Sequence, residues 1–540
     1  MPRDALRRIA ALALVLLAAC SRVDTAASSG RHSWTHTDRV RIGSTEEPDA
    51  LNLLFANTDA AGQIANLIFA PVFGYDERGD YVPEMAREIP TDRNGGVSRD
   101  GRTIVIHLRH GLQWSDGAPL DARDLRFTWQ AVMNPRNDTR LRTGWDDITA
   151  IDLPDPDTAV IHLREPYAAI LGIFAIGGAG YPPLPAHLLA DLPDINHAPF
   201  NEHPIASGPY VLTAWNHGSS LEFAANPRYW RGTPAIARIT YRIIPDADSL
   251  FAALQTHDLD VVDTLGEGQI DRIGSLDGYA VQHRITANWR HLDMNCAQPL
   301  LADVRVRRAI AEAIDWDRMN RTIYHGTNVR AVSDIMPTSW AAPAIPAYRY
   351  DLARARALLD AAGWHTGAGG IRRRDGVPLE LTVSTTVSKP TNIQAEVQMQ
   401  QQLLAAGVRL IVKNYPTSVL FAQNGPLYSG RYDLSLTIDT NAPDPDNEGL
   451  WSATFIPPHG GNTSFLADPV ITQTSHLAAH TFDRAVRRAL YQREEARIHE
   501  LVPTVFLYWQ VAYAAVNSDL KHYRAAQYLS SNWNAWQWSY

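Results

Sequence analysis

Cysteine is nearly missing from this chain. There are two in 540 residues, Cys20 and Cys296. That excludes a disulfide framework and any Cys-x-x-Cys redox or zinc motif. A chain of this length buries enough apolar surface to fold without cross-links, and it exceeds what one core serves, so two or more lobes are expected. Lysine is scarce as well, with Lys389, Lys413 and Lys521 the only three; arginine carries the rest of the positive charge, a trait of a GC-rich genome rather than of a function. There is no basic excess: Lys and Arg total 49 against 58 Asp and Glu, a net charge of -9. With no basic stripe either, nucleic acid is not an expected partner. The chain has no Gly-x-Ser-x-Gly elbow and no phosphate-binding Gly loop. No apolar run reaches the ~20 residues of a membrane span.

The N-terminus has a pattern of its own. Arg3, Arg7 and Arg8 precede an apolar run from Ile9 to Ala19, with small residues Ala18 and Ala19 before Cys20. This reads as a secretory signal over residues 1–19. The ending Leu17-Ala18-Ala19-Cys20 resembles a bacterial lipobox, which implies a lipidated Cys20. Removing residues 1–19 leaves 46 basic and 57 acidic residues, a net charge of -11. Residues 20–38, rich in Ser, Thr, Ala and Gly, read as the lipidated cysteine and a flexible tether. The expected product is exported and anchored to a membrane through Cys20, in the periplasm or at the cell surface.

Beyond Val40 the pattern alternates strands and helices. Strands are predicted at 102–109, 158–163 and 259–262, and a hairpin at 210–224 around Asn216-His217-Gly218. The clearest helix is predicted from Asp303, its N-cap, with Val306, Ala309, Ile310, Ala313 and Ile314 on one face and Gly326 beyond its end. Further helices are predicted over 249–255, 352–362, stopped by Gly363, and 392–406, stopped by Gly407 and followed by a strand at 408–412. Helix, Gly, strand order points to α/β lobes.

Few residues suggest chemistry. Asp444-Pro445-Asp446-Asn447-Glu448-Gly449 opens like a calcium loop, but position twelve is Phe455 where a bidentate Glu is required. A turn with solvated acids is the expectation. His476 and His480 have a four-residue spacing, yet Leu477 stands where a zinc protease needs Glu. No metal and no cofactor are expected. Cys296 reads as a structural thiol. The fifteen Trp residues are the stronger signal, since some of them, such as Trp289, Trp340 and Trp451, sit in polar or turn-like settings. Indole rings suit clefts that enclose organic ligands.

A series of short motifs, in order, carries a family resemblance. They are Glu47-Pro48-Asp49-Ala50-Leu51-Asn52; Pro83-Glu84-Met85-Ala86; Asp100-Gly101; and Leu108 to Gly117 with Asp121-Ala122-Arg123-Asp124. Then come Ser207-Gly208-Pro209-Tyr210, Asn226 to Trp230, Asp303 to Ile310, and Gly363-Trp364. Together they resemble the bacterial extracellular solute-binding proteins of family 5, the oligopeptide- and dipeptide-binding type that serves ABC importers.

The resemblance implies an α/β, two-lobed periplasmic-binding-protein fold of the cluster C type, with mixed sheets and a ligand cleft between the lobes. Lobe I would span residues 39–283 and return over 505–540; lobe II would span 284–504. The chain would cross between them near His283 to Trp289 and near Leu501 to Trp509. The function implied is capture of a small organic solute, with peptide the leading class, by a monomer that delivers it to an inner-membrane permease. Oligosaccharide or metal chelate is the alternative ligand, and a secreted hydrolase using the same cleft is the alternative of a different class. Ligand contacts are expected from Glu47, Trp289, Asp439, Asn441 and Trp451. Asn441 stands where peptide-binding members carry an Asp for the peptide's α-ammonium, so Asp439 is the substitute acid.

Overall fold

The computed structural model describes residues 30–177, 180–387, 390–526, 530 and 532–540; of Glu267 and Gly268 it describes the backbone alone. The signal segment, Cys20 and the first part of the tether lie outside the described residues. Among these residues no helix is long and apolar enough to cross a membrane.

One mixed sheet of eleven strands runs through the molecule. Its order begins with Arg409–Val412, Glu380–Ser384 and Leu434–Thr440. Two long strands follow, Tyr279–Met294 and Thr504–Asn517. The sheet ends with Val261–Val262, Arg39–Ser44, Arg238–Ile243, Ser220–Ala225 and Tyr210–Asn216. The short strand Val329–Arg330 pairs beside Thr504–Asn517.

Two main cores lie on either side of the long pair. The first draws on Val40, Ile42, Ile104, Trp114 and Tyr241, and is completed by Ala514, Val516 and Trp538. The second draws on Leu292, Ile310, Leu359, Met399 and Leu436, and reaches Tyr508. The protein is therefore two-lobed, and the long antiparallel strands are what the lobes share. From Tyr279 to Ile285 the first strand pairs with Val511–Asn517; from Trp289 to Asp293 it pairs with Thr504–Trp509. Between these stretches the register shifts. There Thr286 Oγ1 donates to the Gln510 carbonyl at 3.1 Å, and the Val511 N–H donates to Asn328 Oδ1 at 3.2 Å. Such bulges bend a strand, and this one falls where the chain passes between cores.

Local chemistry explains most elements. The helix Val304–Ala313 is capped by Asp303, whose carboxylate accepts from the Arg305 N–H. It stops at Ile314 rather than running toward Gly326, because Asp315 caps a second helix, Trp316–Ile323. The C-cap Ile314 and the N-cap Asp315 are adjacent, and together they break what the apolar spacing alone joins. Gly363 ends the helix Leu352–Ala361 in the left-handed region, at φ 82°. The helix Pro390–Ala405 leads through Gly407 into Arg409–Val412, which pairs parallel with Glu380–Ser384.

Candidate functional site

The long strand carries Trp289, His291 and Asp293 at alternate positions, so all three face one side of the sheet. Its neighbour Leu434–Thr440 sets Asp439 opposite Trp289 and Thr437 opposite His291. On this face the Trp289 and His291 rings stack with centroids 4.2 Å apart. His291 Nδ1 lies 2.8 Å from Asp293 Oδ1, and its Nε2 lies 3.4 Å from Asp439 Oδ2. Burial opposes a charge on this imidazole, but Asp293 and Asp439 outweigh it and raise its pKa to about 10. His291 is therefore a buried imidazolium between two carboxylates. The Asp293 side chain is buried, whereas that of Asp439 is 39% exposed.

Trp289 itself is 1% exposed. Besides His291, its ring meets Phe506 at 5.4 Å and Trp509 at 6.3 Å. Its indole N–H donates to Asn441 Oδ1 at 2.8 Å. The Asn441 side-chain amide donates in turn to the Asp334 carbonyl at 2.5 Å, and its backbone N–H to the Ala287 carbonyl at 3.1 Å. Asn441 thus works as a bracket between the crossing strand and the loop at Asp334. Trp289, one of the expected ligand contacts, has its ring bordered by His291, Phe506 and Trp509. Trp451, 5% exposed, belongs to the same cluster and packs edge-on against Phe506 at 6.2 Å.

Glu47 lies apart from this group. Its carboxylate accepts from the Trp215 indole at 3.0 Å and the Gly218 N–H at 3.1 Å, and its Oε1 lies 3.3 Å from His217 Nδ1. Burial opposes its charge, but those donors prevail and hold its pKa below the usual carboxylate value. Its visible work is to pin the tip of the 210–225 hairpin.

The acidic turn departs from expectation. Asp444 is buried, not solvated, because Arg487 grips it with two bonds of 2.6 and 2.9 Å. Asp446 accepts from the Tyr167 hydroxyl at 3.0 Å; burial, with Asp444 next to it, raises its pKa to about 6. Asn447 donates to Asp334 Oδ2 and Glu495 Oε1, both at 3.2 Å. Asp334, Glu494 and Glu495 are fully buried, and burial drives all three carboxyls upward in pKa. Cys296 follows the crossing strand, half-buried, and burial lifts its thiol to about 11, which favours the protonated form.

Tyr167 packs against the first core, and its bond to Asp446 reaches across 279 residues to the segment after Leu434–Thr440. The Ala168 N–H also donates to the Ala479 carbonyl at 2.7 Å, and Arg484 pairs with Asp80 at 2.5 Å. A separate cavity of about 400 Å³ belongs to the first lobe, between Tyr75, Glu84, Arg231 and the C-terminal Trp533 and Trp536. Sequence reasoning missed His291, Asp293 and Thr437. Their signal was the two-residue spacing of polar side chains after Trp289, in a stretch that contains both donors and acceptors.

Two cores, one continuous mixed sheet and a pair of shared crossing strands define a two-lobed α/β binding protein. The chain belongs to the bacterial extracellular solute-binding proteins, family 5, whose model matches residues 80–458. Among characterised relatives, it is similar to protein XP55 of Streptomyces lividans, with 28% identity covering 84% of this chain and 80% of that protein. It is also similar to the oligopeptide-binding protein AppA of Bacillus subtilis, with 24% identity and 94% of both chains covered. Its fold matches the crystal structure of NikA from Brucella suis in complex with Fe(III)-EDTA, with a TM-score of 0.81, 22% identity, and 93% of this chain and 99% of that chain covered. This is a solute-binding protein.

Proposed function

We propose that the protein captures a peptide between its lobes and delivers it to the permease of an ABC importer, held at the membrane by a lipid on Cys20. Lobe I is taken as residues 39–283 and 505–540, and lobe II as 284–504, with the register shift at Thr286–Asn288 as the hinge. Capture involves no bond-making. The solute favours the closed form because it contacts both lobes there, and the equilibrium shifts by that difference in affinity.

One observation carries the choice of peptide. Asp439 is half-exposed beside a single buried imidazolium, which Asp293 already pairs at closer range. Two carboxylates around one cation leave negative charge at the exposed edge, and an α-ammonium fits it. A buried ammonium without such a partner is too costly. Asn441, in the position where peptide-binding members carry an acid, is committed to Trp289 and Asp334. Trp289 and Trp451 then act as the rigid wall behind the ligand, and Glu47 as the support of the hairpin in the opposing lobe.

Calorimetry against short peptides with free and acetylated N-termini, an oligosaccharide set and nickel–histidine tests this. Free-amine peptides are expected to bind and acetylated ones to fail. Asp439→Asn should weaken the free peptide by several kcal/mol, as stranding a buried charge does. Equal binding of both peptide forms would remove Asp439 from the role. Binding of only a sugar or a chelate would replace the peptide reading. Peptide cleavage detected by mass spectrometry would overturn the transport role.

A further inference from the structure

The lobe seam holds a cluster of side chains that solute capture leaves unused. His476 lies in the last turn of the helix Pro469–Ala479, and His480 caps that helix. Their spacing brings the two imidazoles together, tilted by 39° with centroids 4.1 Å apart. His480 Nδ1 lies 2.7 Å from the His476 carbonyl oxygen. A proton placed on Nδ1 for that bond leaves Nε2 with a free lone pair, the arrangement in which a second partner fixes a metal-binding tautomer. Tertiary structure adds two carboxylates. Glu448 Oε1 lies 3.1 Å from His476 Nδ1, and Glu165 Oε1 lies 3.6 Å from His480 Nε2.

One ligand atom from each of Glu448, His476 and His480 falls within 4.8 Å of the other two. Tetrahedral zinc, with bonds of ~2.0–2.1 Å, sets its ligand atoms ~3.3 Å apart. The two observed histidine–carboxylate separations bracket that value. With its Nδ1 proton on the His476 carbonyl, His480 can pair with Glu165 only as an imidazolium, 4.1 Å from the His476 ring. A single divalent ion can meet the ligand atoms of Glu448, His476 and His480 together, with Glu165 reaching it from beside His480 Nε2. The Glu448 and His480 side chains are only 14% and 19% exposed, while His476 and Glu165 are about half exposed and leave a way in.

Glu165 belongs to the first lobe and the other three residues to the second. We propose that Glu448, His476, His480 and Glu165 form a site for a divalent transition-metal ion of the zinc type, which ties the lobes together at the seam. The Ala168–Ala479 backbone bond beside it holds Glu165 in register. An ion with three ligands on one lobe and a fourth on the other binds the closed form more tightly, and so favours closure. By reciprocity it raises the affinity of the closed cleft for its solute by the same factor. Imidazole ligands select zinc, nickel or copper over calcium and magnesium.

The test uses the mature chain without an affinity tag, stripped with chelator. Zn²⁺ is titrated against a chromophoric competitor, Mg²⁺ and Ca²⁺ serve as controls, and small-angle X-ray scattering follows closure. One Zn²⁺ per chain is expected, and Co²⁺ should give a tetrahedral absorption band. The double variant His476→Ala/His480→Ala should lose well over about tenfold in Zn²⁺ affinity, the low end even for loss of an outer-sphere partner, with its circular dichroism unchanged. Glu165→Gln should still bind Zn²⁺ through the remaining three residues, but Zn²⁺ should no longer make it more compact. Absence of stoichiometric Zn²⁺, or equal affinity in the double variant, would overturn the site. Compaction by Zn²⁺ that survives Glu165→Gln, or no compaction of the unaltered protein, would overturn the tie between lobes.

Discussion

Trp289 donates its indole N–H to the Asn441 side-chain carbonyl at 2.8 Å, and this bond locks a crossing strand to the segment that follows Leu434–Thr440. Because Asn441 also holds the Asp334 carbonyl, both ends of its amide are spent on structure. Trp289→Phe should leave Asn441 Oδ1 without its donor in a half-buried setting, at a cost of about 1–3 kcal/mol. Trp289→Ala should cost more, about 3–5 kcal/mol, because it also opens a cavity among Phe506 and Trp509. Denaturant unfolding of the two variants checks the order. Weakened solute binding with unchanged stability would instead mean that the ring meets the ligand.

His291 makes stability depend on pH. Its pKa is 6.5 as an isolated side chain and about 10 in the folded protein, so folding favours the protonated form. The stabilisation is complete below the lower value and disappears as pH rises through the upper one. The difference in unfolding free energy between the unaltered protein and His291→Gln should therefore shrink with rising pH across that window. A difference that stays level would show that the imidazole is neutral.

Arg487 grips Asp444 with paired bonds, and both side chains are nearly enclosed, 6% and 8% exposed. Arg487→Met should destabilise by about 3–5 kcal/mol, since it strands a buried carboxylate. Combining it with Asp444→Asn should restore part of that loss. Melting temperatures of the single and double variants decide the matter; a double variant as unstable as the sum of both singles would deny the coupling.

Cys20→Ser should release the protein from membranes, because serine offers no thiol for the thioether to lipid. Fractionation of cells expressing the variant measures this. A variant that stays with the membrane after its signal is removed would disprove lipid anchoring.

The one-dimensional signals worked where the physics is local. Asp303, Gly363 and Gly407 ended or began helices as expected, because a cap or a left-handed turn needs only neighbouring residues. The hairpin at 210–225 was readable for the same reason. Asp315 was overlooked as a second cap, so two helices read as one. The acidic turn was misread because Arg487, 43 positions away, supplies the charge that lets Asp444 be buried. His291 gave no signal of its own, since nothing within the strand reveals that Asp439 will lie diagonally across the next one.

The sequence by itself determined the family, through motifs whose order survives the lack of close identity, and it determined the α/β character and the helix ends. Only tertiary structure decided what individual side chains do. It tied Asn441 to Trp289 and Asp334, charged His291 between two acids, and carried Glu165 to within 3.6 Å of His480, 315 positions further along the chain. Caps, turns and periodicity act over a few residues and are written in the local sequence. Charge pairing and burial act through space, and space is set only when the two crossing strands bring the lobes together.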